Sequence, residues 1–408
     1  MTSGSGLGRA SAVAMFALLV CLPSGGAAGA ATVETRPPTL ATVIGRDLGI
    51  TPREYLRRSA AAQRLASFAA AAAQRFPGAV GPVRLDGAGR GIVTVAANAP
   101  QARAAVRAAG WLSADDPRPA APDVPAPLEN PVDHPVATAP DVETIAGGDI
   151  FATPNPQGTA AAKCSWAFNA VDADGQSVAL TAGHCNLAVR QGLSPSDYPA
   201  TYRVTAGRLA GAVAGAPTGR FEKSVLDGQR DYSIVHATDS ARDAFGDNLV
   251  RGPVGDSDIA VTGVGIPVVG APVCKSGATT GFTCGVVTAV DQPDPQRPPA
   301  RFKHSALSLP GDSGGALISG TLALGIVSSG GFDTDLPSFP TEPPVELPSA
   351  PANPLFNLGK MLDQVGPQRL QQLGPPVAAV LPHAPFTMIA QSVADVLAEN
   401  PGLRLRTS

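Results

Sequence analysis

From Ile145 onward the chain breaks into strand-length apolar runs: SWAFNAV, SVALTAG, DYSIVHA, IAVTGVG, CGVVTAV, GALISG and LALGIVSSG. Gly, Asp and Asn turns separate them. Short runs at this frequency, without helical periods between them, are the pattern of an all-β barrel or sandwich. Composition agrees, since 45 Gly and 41 Pro with only 5% aromatic residues favour turns over long helical packing. A length of 408 residues suggests two or three domain-sized pieces. A net charge of −3 implies no strong pull toward nucleic acid or an anionic membrane.

The N-terminus reads as a secretory signal over residues 1–30. Arg9 is the only charge before an apolar run from Ala12 to Leu22, and small residues follow to Ala28-Gly29-Ala30, an A-x-A-like cleavage site. The run is too short to span a bilayer comfortably. Its removal takes Cys21 away and leaves Cys164, Cys185, Cys274 and Cys284. In an exported chain four cysteines read as two disulfides with three possible connectivities, of which pairing of sequence neighbours is the simplest. No C-x-x-C spacing supports a metal.

Residues 31–111 hold a small unit without cysteine. Thr51-Pro52-Arg53-Glu54 is a capping box with proline at the first helical position, which predicts a helix to about Phe76. Ile92-Val93-Thr94-Val95 alternates like a strand, and Asn98-Ala99-Pro100 opens a second helix that Gly110 stops. Residues 112–144 are dense in Pro, Ala and Asp and read as an exposed linker suited to proteolysis. A second Pro-rich stretch, about 332–385, interrupts the β region. A C-terminal helix is predicted at about 386–400, stopped by Pro401-Gly402.

The chemistry concentrates in Gly311-Asp312-Ser313-Gly314-Gly315. It fits both the G-x-S-x-G elbow of α/β-hydrolases and the G-D-S-G-G of another serine nucleophile. Acyl transfer by serine needs a base, a carboxylate that orients it, and backbone N–H groups for the oxyanion. The five histidines are His134, in the linker, and His184, His236, His304 and His383. His184 emerges at the end of the apolar strand Leu180-Thr181-Ala182, beside Cys185. Asp231 opens the strand Asp231-Tyr232-Ser233-Ile234-Val235 between that histidine and Ser313. Gly311, after Pro310, is free to take the backbone conformation an oxyanion donor needs, so the N–H groups of Gly311 and Ser313 are the predicted hole. Asp312 should point inward, toward a partner the sequence does not name.

LTAGHC, DYSIV and PGDSGGAL, in that order, resemble the chymotrypsin-like serine proteases, most of all the secreted bacterial streptogrisin and α-lytic-type group. Ile145-Ala146-Gly147-Gly148 resembles that group's mature N-terminus. The stretches around Cys164, Cys274 and Cys284 resemble its disulfide loops, and Gly325 to Gly331 its substrate-binding strand. The resemblance implies two six-stranded antiparallel β-barrels, about 145–245 and 255–331, with the active site between them. It implies a His184, Asp231 and Ser313 triad, Cys164–Cys185 and Cys274–Cys284 disulfides, and a pocket wall of Ser328, Ser329, Gly330 and Gly331. It also implies that 31–111 is a propeptide that aids folding and inhibits, ahead of a protease domain at 145–408.

A secreted, monomeric endopeptidase acting on protein or peptide substrates follows, without cofactor, metal, nucleic acid or stable membrane span. The uncharged pocket wall suggests an apolar P1 residue, and His304, Ser305 and Leu309 lie where they would reshape that preference. The chain departs from the group in two ways. Leu307 stands just before the nucleophile where relatives often carry a bridging cysteine, and the 332–385 insertion is unusually long. Two alternatives remain at this level. One is an α/β-hydrolase using Ser313, Asp363 and His383, which would need a helix after the serine. The other is an inactive protease-fold binding protein.

Overall fold

A computed structural model describes residues 39–115, 144–157, 161–204, 216–291, 297–332 and 386–407. The expected signal, Cys21, His134, Asp363, His383, nearly all of the linker and of the 332–385 insertion lie outside them. Among the described residues no helix is long and apolar enough to cross a membrane.

The N-terminal unit begins with α1 (Leu40–Leu48), capped by the Thr39 hydroxyl, which accepts from the Thr42 N–H at 3.3 Å. Helix α2 (Pro52–Arg75) starts where the capping box predicts. Thr51 Oγ1 accepts from the Glu54 N–H at 3.2 Å, and Glu54 pairs with Arg57 and Arg58 one turn on. Strands β1 (Val80–Leu85), β2 (Gly91–Val95) and β3 (Leu112–Ser113) form a three-stranded sheet, with α3 (Pro100–Ala108) between the last two. Leu65, Val93 and Val106 are fully buried at its centre. The sequence reading missed α1, β1 and β3, whose few apolar residues carry no clear period. This unit packs on the second barrel described below. Tyr55 Oη accepts from the Gly320 N–H at 2.9 Å, and the Gln63 amide holds both backbone groups of Ile266. Leu85 N–H donates to the Val269 carbonyl at 2.8 Å.

The first β-domain is built from β4 (Ile150–Pro154), β5 (Ala161–Ser165), β6 (Asn169–Val171), β7 (Ser177–Thr181), β8 (Ala200–Arg203), β9 (Gly219–Leu226) and β10 (Asp231–Ala237). With the C-terminal β20 (Arg404–Leu405) they form one sheet ordered β20-β6-β7-β10-β9-β8-β4-β5. Phe151 stacks on Trp166 at 4.1 Å between ring centres, and Phe245 meets Trp166 edge-on. A short link follows, through β11 (Leu249–Val250), β12 (Ile259–Ala260) and β13 (Gly263–Val264).

The second β-domain comprises β14 (Pro272–Gly277), β15 (Gly281–Val290), β16 (Arg301–His304), β17 (Ala316–Ser319), β18 (Leu322–Phe332) and β19 (Phe386–Ser392). It closes on itself as β18-β17-β14-β15-β16-β19 and back to β18. Val273, Val287, Phe302, Leu317 and Val327 fill it. Strands β17 and β18 follow Ser313 directly, so the helix that an α/β-hydrolase elbow requires is absent and that alternative falls.

One expectation is corrected here. The C-terminal helix, α4 (Val393–Glu399), starts at Val393. The preceding residues form β19, which pairs Arg301–His304 on one side and Gly325–Phe332 on the other. Without it, β16 and β18 would leave two open edges and the ring would not close. A short apolar run fits either period, and long-range pairing decides between them.

Candidate active site

Strand β7, buried along its whole length, delivers the chain to the turn Gly183–Cys185. Cys185 is bonded to Cys164 at the end of β5, and Cys274 to Cys284 across β14 and β15. Gly183 is required by a close approach. A Cβ there would lie 2.0 Å from the Val225 carbonyl oxygen and 3.1 Å from Asp231 Oδ1. The turn is thereby pressed onto β9 and β10, and the His184 imidazole is 17% exposed at the cleft.

Asp231 is the first residue of β10 and fully buried. Its Oδ2 lies 2.7 Å from His184 Nδ1, and its Oδ1 accepts the His184 backbone N–H at 2.8 Å. Two groups of the second barrel complete its surroundings. Ser328 donates its hydroxyl to Oδ2 at 2.5 Å, and Gln391 Oε1 on β19 accepts the Asp231 N–H at 3.0 Å. Gln391, itself fully buried, donates to the Ala300 carbonyl and to Asp395 Oδ2 on α4. Burial raises the Asp231 carboxyl, but the His184 charge and the bonds from His184 and Ser328 outweigh it and hold the group below its ordinary value.

The resemblance put Ser328 in the pocket wall; its hydroxyl is bonded to the Asp231 carboxylate and the residue is 2% exposed. A bulge in the β18–β19 pairing between Val327 and Ser329 accounts for this, because the extra residue re-aims one side chain. Ser329 is half-buried, Gly330 is exposed and Gly331 pairs with Thr387.

The serine turn seats against the same end of the first barrel. The Ser313 carbonyl accepts from the Ser165 N–H at 2.8 Å and lies 3.8 Å from Cys185 Sγ. Gly314 (φ +82°) could not carry a Cβ, which would meet Thr181 Oγ1 at 2.0 Å. Gly311 has φ +100°, and Ser165 Oγ donates to its carbonyl at 2.8 Å. The N–H groups of Asp312, Gly314 and Gly315 all donate within the protein. Those of Gly311 and Ser313 have no partner among the described residues.

Asp312 points inward, as expected, and its partner is Lys275 on β14, 3.3 Å away, with both side chains fully buried. The carboxylate also accepts from the N–H groups of Leu309, Thr279 and Thr280 and from the Thr280 hydroxyl. Burial raises the Asp312 carboxyl; the Lys275 ammonium and these donors overcome it and keep it below its usual range. Burial pulls Lys275 down against the opposing pull of Asp312 and, from α1, of Asp47. Behind this pair, His304 is buried with both ring nitrogens unpartnered among the described residues. Burial and the Lys275 charge lower its pKa to about 3, so it is neutral. Ser305 Oγ accepts the Val286 N–H, and Leu309 acts through its backbone on Asp312. His236 lies elsewhere, against Asp172. Cys164, His184 and Cys185 cluster tightly enough for a metal, but both sulfurs are in the disulfide.

Sequence reasoning missed Gln391, Lys275 and Ser165. Lys275 stood in Cys274-Lys275-Ser276-Gly277, read only as a disulfide loop. A lone cation in a buried strand was a usable signal, because such a group needs a carboxylate.

Two antiparallel β-domains with a histidine–carboxylate pair and a Gly-Asp-Ser-Gly-Gly turn define the chymotrypsin-like class of serine protease. No family model matches the chain. Serine protease 2 of Streptomyces fradiae is 32% identical over 194 residues, covering 46% of this chain and 94% of that protein. The chain belongs to this family, the bacterial streptogrisin group of chymotrypsin-like serine proteases. Streptogrisin-D of Streptomyces griseus is 33% identical over 193 residues, 46% of this chain, which spans only 42% of that relative's length. Among solved structures, a Nocardiopsis protease is 26% identical, covering 65% of this chain and 100% of its own, with a TM-score of 0.39.

Proposed function

We propose that the chain is the precursor of a secreted serine endopeptidase that cleaves peptide bonds through an acyl-enzyme. The Ser313 hydroxyl attacks the scissile carbonyl while His184 Nε2 takes its proton. The Gly311 and Ser313 N–H groups receive the oxyanion. Collapse breaks the C–N bond, and His184 returns the proton to the leaving amine. Water then attacks the acyl-enzyme with His184 again as base. Asp231 fixes the tautomer, holding the proton on Nδ1 so that Nε2 is free, and stabilises the imidazolium. The observation that carries this reading is the 2.7 Å pair between His184 Nδ1 and the fully buried Asp231, whose carboxylate Ser328 and whose backbone N–H Gln391 hold from the other barrel.

Residues 1–30 are the signal, 31–111 the propeptide, 112–144 the activation region and 145–408 the protease domain. The Tyr55 and Gln63 contacts on the second barrel support the pro-region assignment. The disulfides support export. The test is hydrolysis of an unfolded protein such as casein by the secreted, matured chain, with loss of about 10⁶-fold on Ser313→Ala. Unchanged hydrolysis by Ser313→Ala would refute the reading. N-terminal sequencing of the same material checks for maturation at Ile145.

A further inference from the structure

Lys163, on β5 beside the bonded Cys164, has no hydrogen bond or ion pair with any described residue and is only half-buried. Its Cε and Nζ lie 2.9 and 3.3 Å from where a Cβ on Gly311 would stand. The nearest atom to that point is the Thr279 hydroxyl oxygen, which is already engaged with the Pro310 carbonyl at 2.8 Å. An ammonium without a partner among the described residues therefore stands at the serine turn, beside Gly311.

Its side of the cleft follows from the chemistry proposed above, on which this inference rests. His184 hands its proton to the departing amine, so the leaving peptide must pass His184 and the Cys164–Cys185 bond. On the proposed reading the acyl half takes the other side, along β18, which resembles a substrate-binding strand and whose Ser329 and Gly330 reach the surface. Lys163, adjoining Cys164, is on the leaving side. One extended residue spans about 3.4 Å, so the first two residues after the scissile bond come within reach of its flexible side chain.

We infer that Lys163 selects substrates with a carboxylate side chain within the two residues that follow the scissile bond. An ammonium without a partner attracts that charge and repels a basic side chain at the same place. A half-exposed pair is screened, so selectivity is modest and depends on salt.

The test uses the matured enzyme and three peptides with a common acyl half, carrying Glu, Gln or Lys at the second leaving-side position. The expected Glu-to-Lys ratio of kcat/KM is about fivefold to tenfold, shrinking as salt rises. Lys163→Met brings the ratio close to one, Lys163→Glu inverts it and Lys163→Arg keeps it. A ratio unchanged in Lys163→Glu overturns the inference. So does an equal fall in kcat on all three peptides, which would make Lys163 a general aid to the oxyanion or to folding. If the wild-type enzyme cleaves none of the three and no casein, the protease reading itself falls. Normal casein cleavage with an unaltered ratio removes the Lys163 inference alone.

Discussion

The Lys275–Asp312 pair sets the shape of the serine turn, and its two halves are not equally supported. Asp312 accepts from three backbone N–H groups and one hydroxyl besides Lys275. Among the described residues Lys275 donates to the Thr280 hydroxyl and the Gly281 carbonyl besides Asp312, with the Asp47 charge acting from farther off. Removing the ammonium thus leaves a carboxylate with four donors, a loss of about 1–3 kcal/mol. Removing the carboxylate leaves a buried charge facing neutral acceptors, about 3–5 kcal/mol. Asp312→Asn should accordingly destabilise more than Lys275→Met. The pH dependence has a definite sign. The Asp312 carboxyl titrates below its reference value of 3.8 in the folded protein. Its contribution is full above that value and disappears as pH falls through the lower folded pKa. Lys275→Met raises the folded pKa, so acid unfolding should begin at higher pH than in the parent. Urea denaturation from pH 7 to 3, in a Ser313→Ala background that prevents self-digestion, measures both effects. An Asp312→Asn loss under about 1 kcal/mol, or one smaller than that of Lys275→Met, would refute the asymmetry.

Three further outcomes are expected. Gln391→Leu strips the acceptor from the Asp231 N–H and should lower kcat about tenfold to a hundredfold with little change in KM. Gln391→Glu keeps that acceptor but sets a buried carboxylate against Asp395 and leaves the Ala300 carbonyl without its donor, so it should not recover the loss in the same steady-state assay. Replacing Cys164 and Cys185 by Ala opens a loop with a separation of 21 residues and should cost about 3 kcal/mol in urea denaturation. Gly183→Ala drives a methyl group against the Val225 carbonyl. It should displace His184 and lower kcat/KM more than tenfold, read out on a small ester substrate.

Much of the fold was legible because its signals are local. The capping box at Thr51 marked the start of α2 to the residue. The apolar runs from SVALTAG to LALGIVSSG became β7, β10, the short β12 and β13, β15, β17 and β18. Of the candidate site, His184 and Asp231 stand together, and Gly311 has a positive φ. What sequence did not reveal depends on pairing across long separations. Phe386–Ser392 is a strand because β16 and β18 need a partner, a fact no local period contains. Lys275 and Asp312 meet across 37 residues, and Gln391 reaches Asp231 across 160. Ser328 was assigned to the pocket wall from the resemblance of Gly325 to Gly331 to a substrate-binding strand. The bulge that turns it toward Asp231 appears only in the register with β19.

The central claim is that Ser313 is a nucleophile activated by His184. Intact-mass analysis of the matured protein after treatment with a fluorophosphonate tests it most directly. The account predicts one adduct per chain, mapped to Ser313 by peptide sequencing and lost on His184→Ala in protein that still unfolds cooperatively in urea. Folded wild-type protein that takes no label, or label that persists undiminished in His184→Ala, would contradict it.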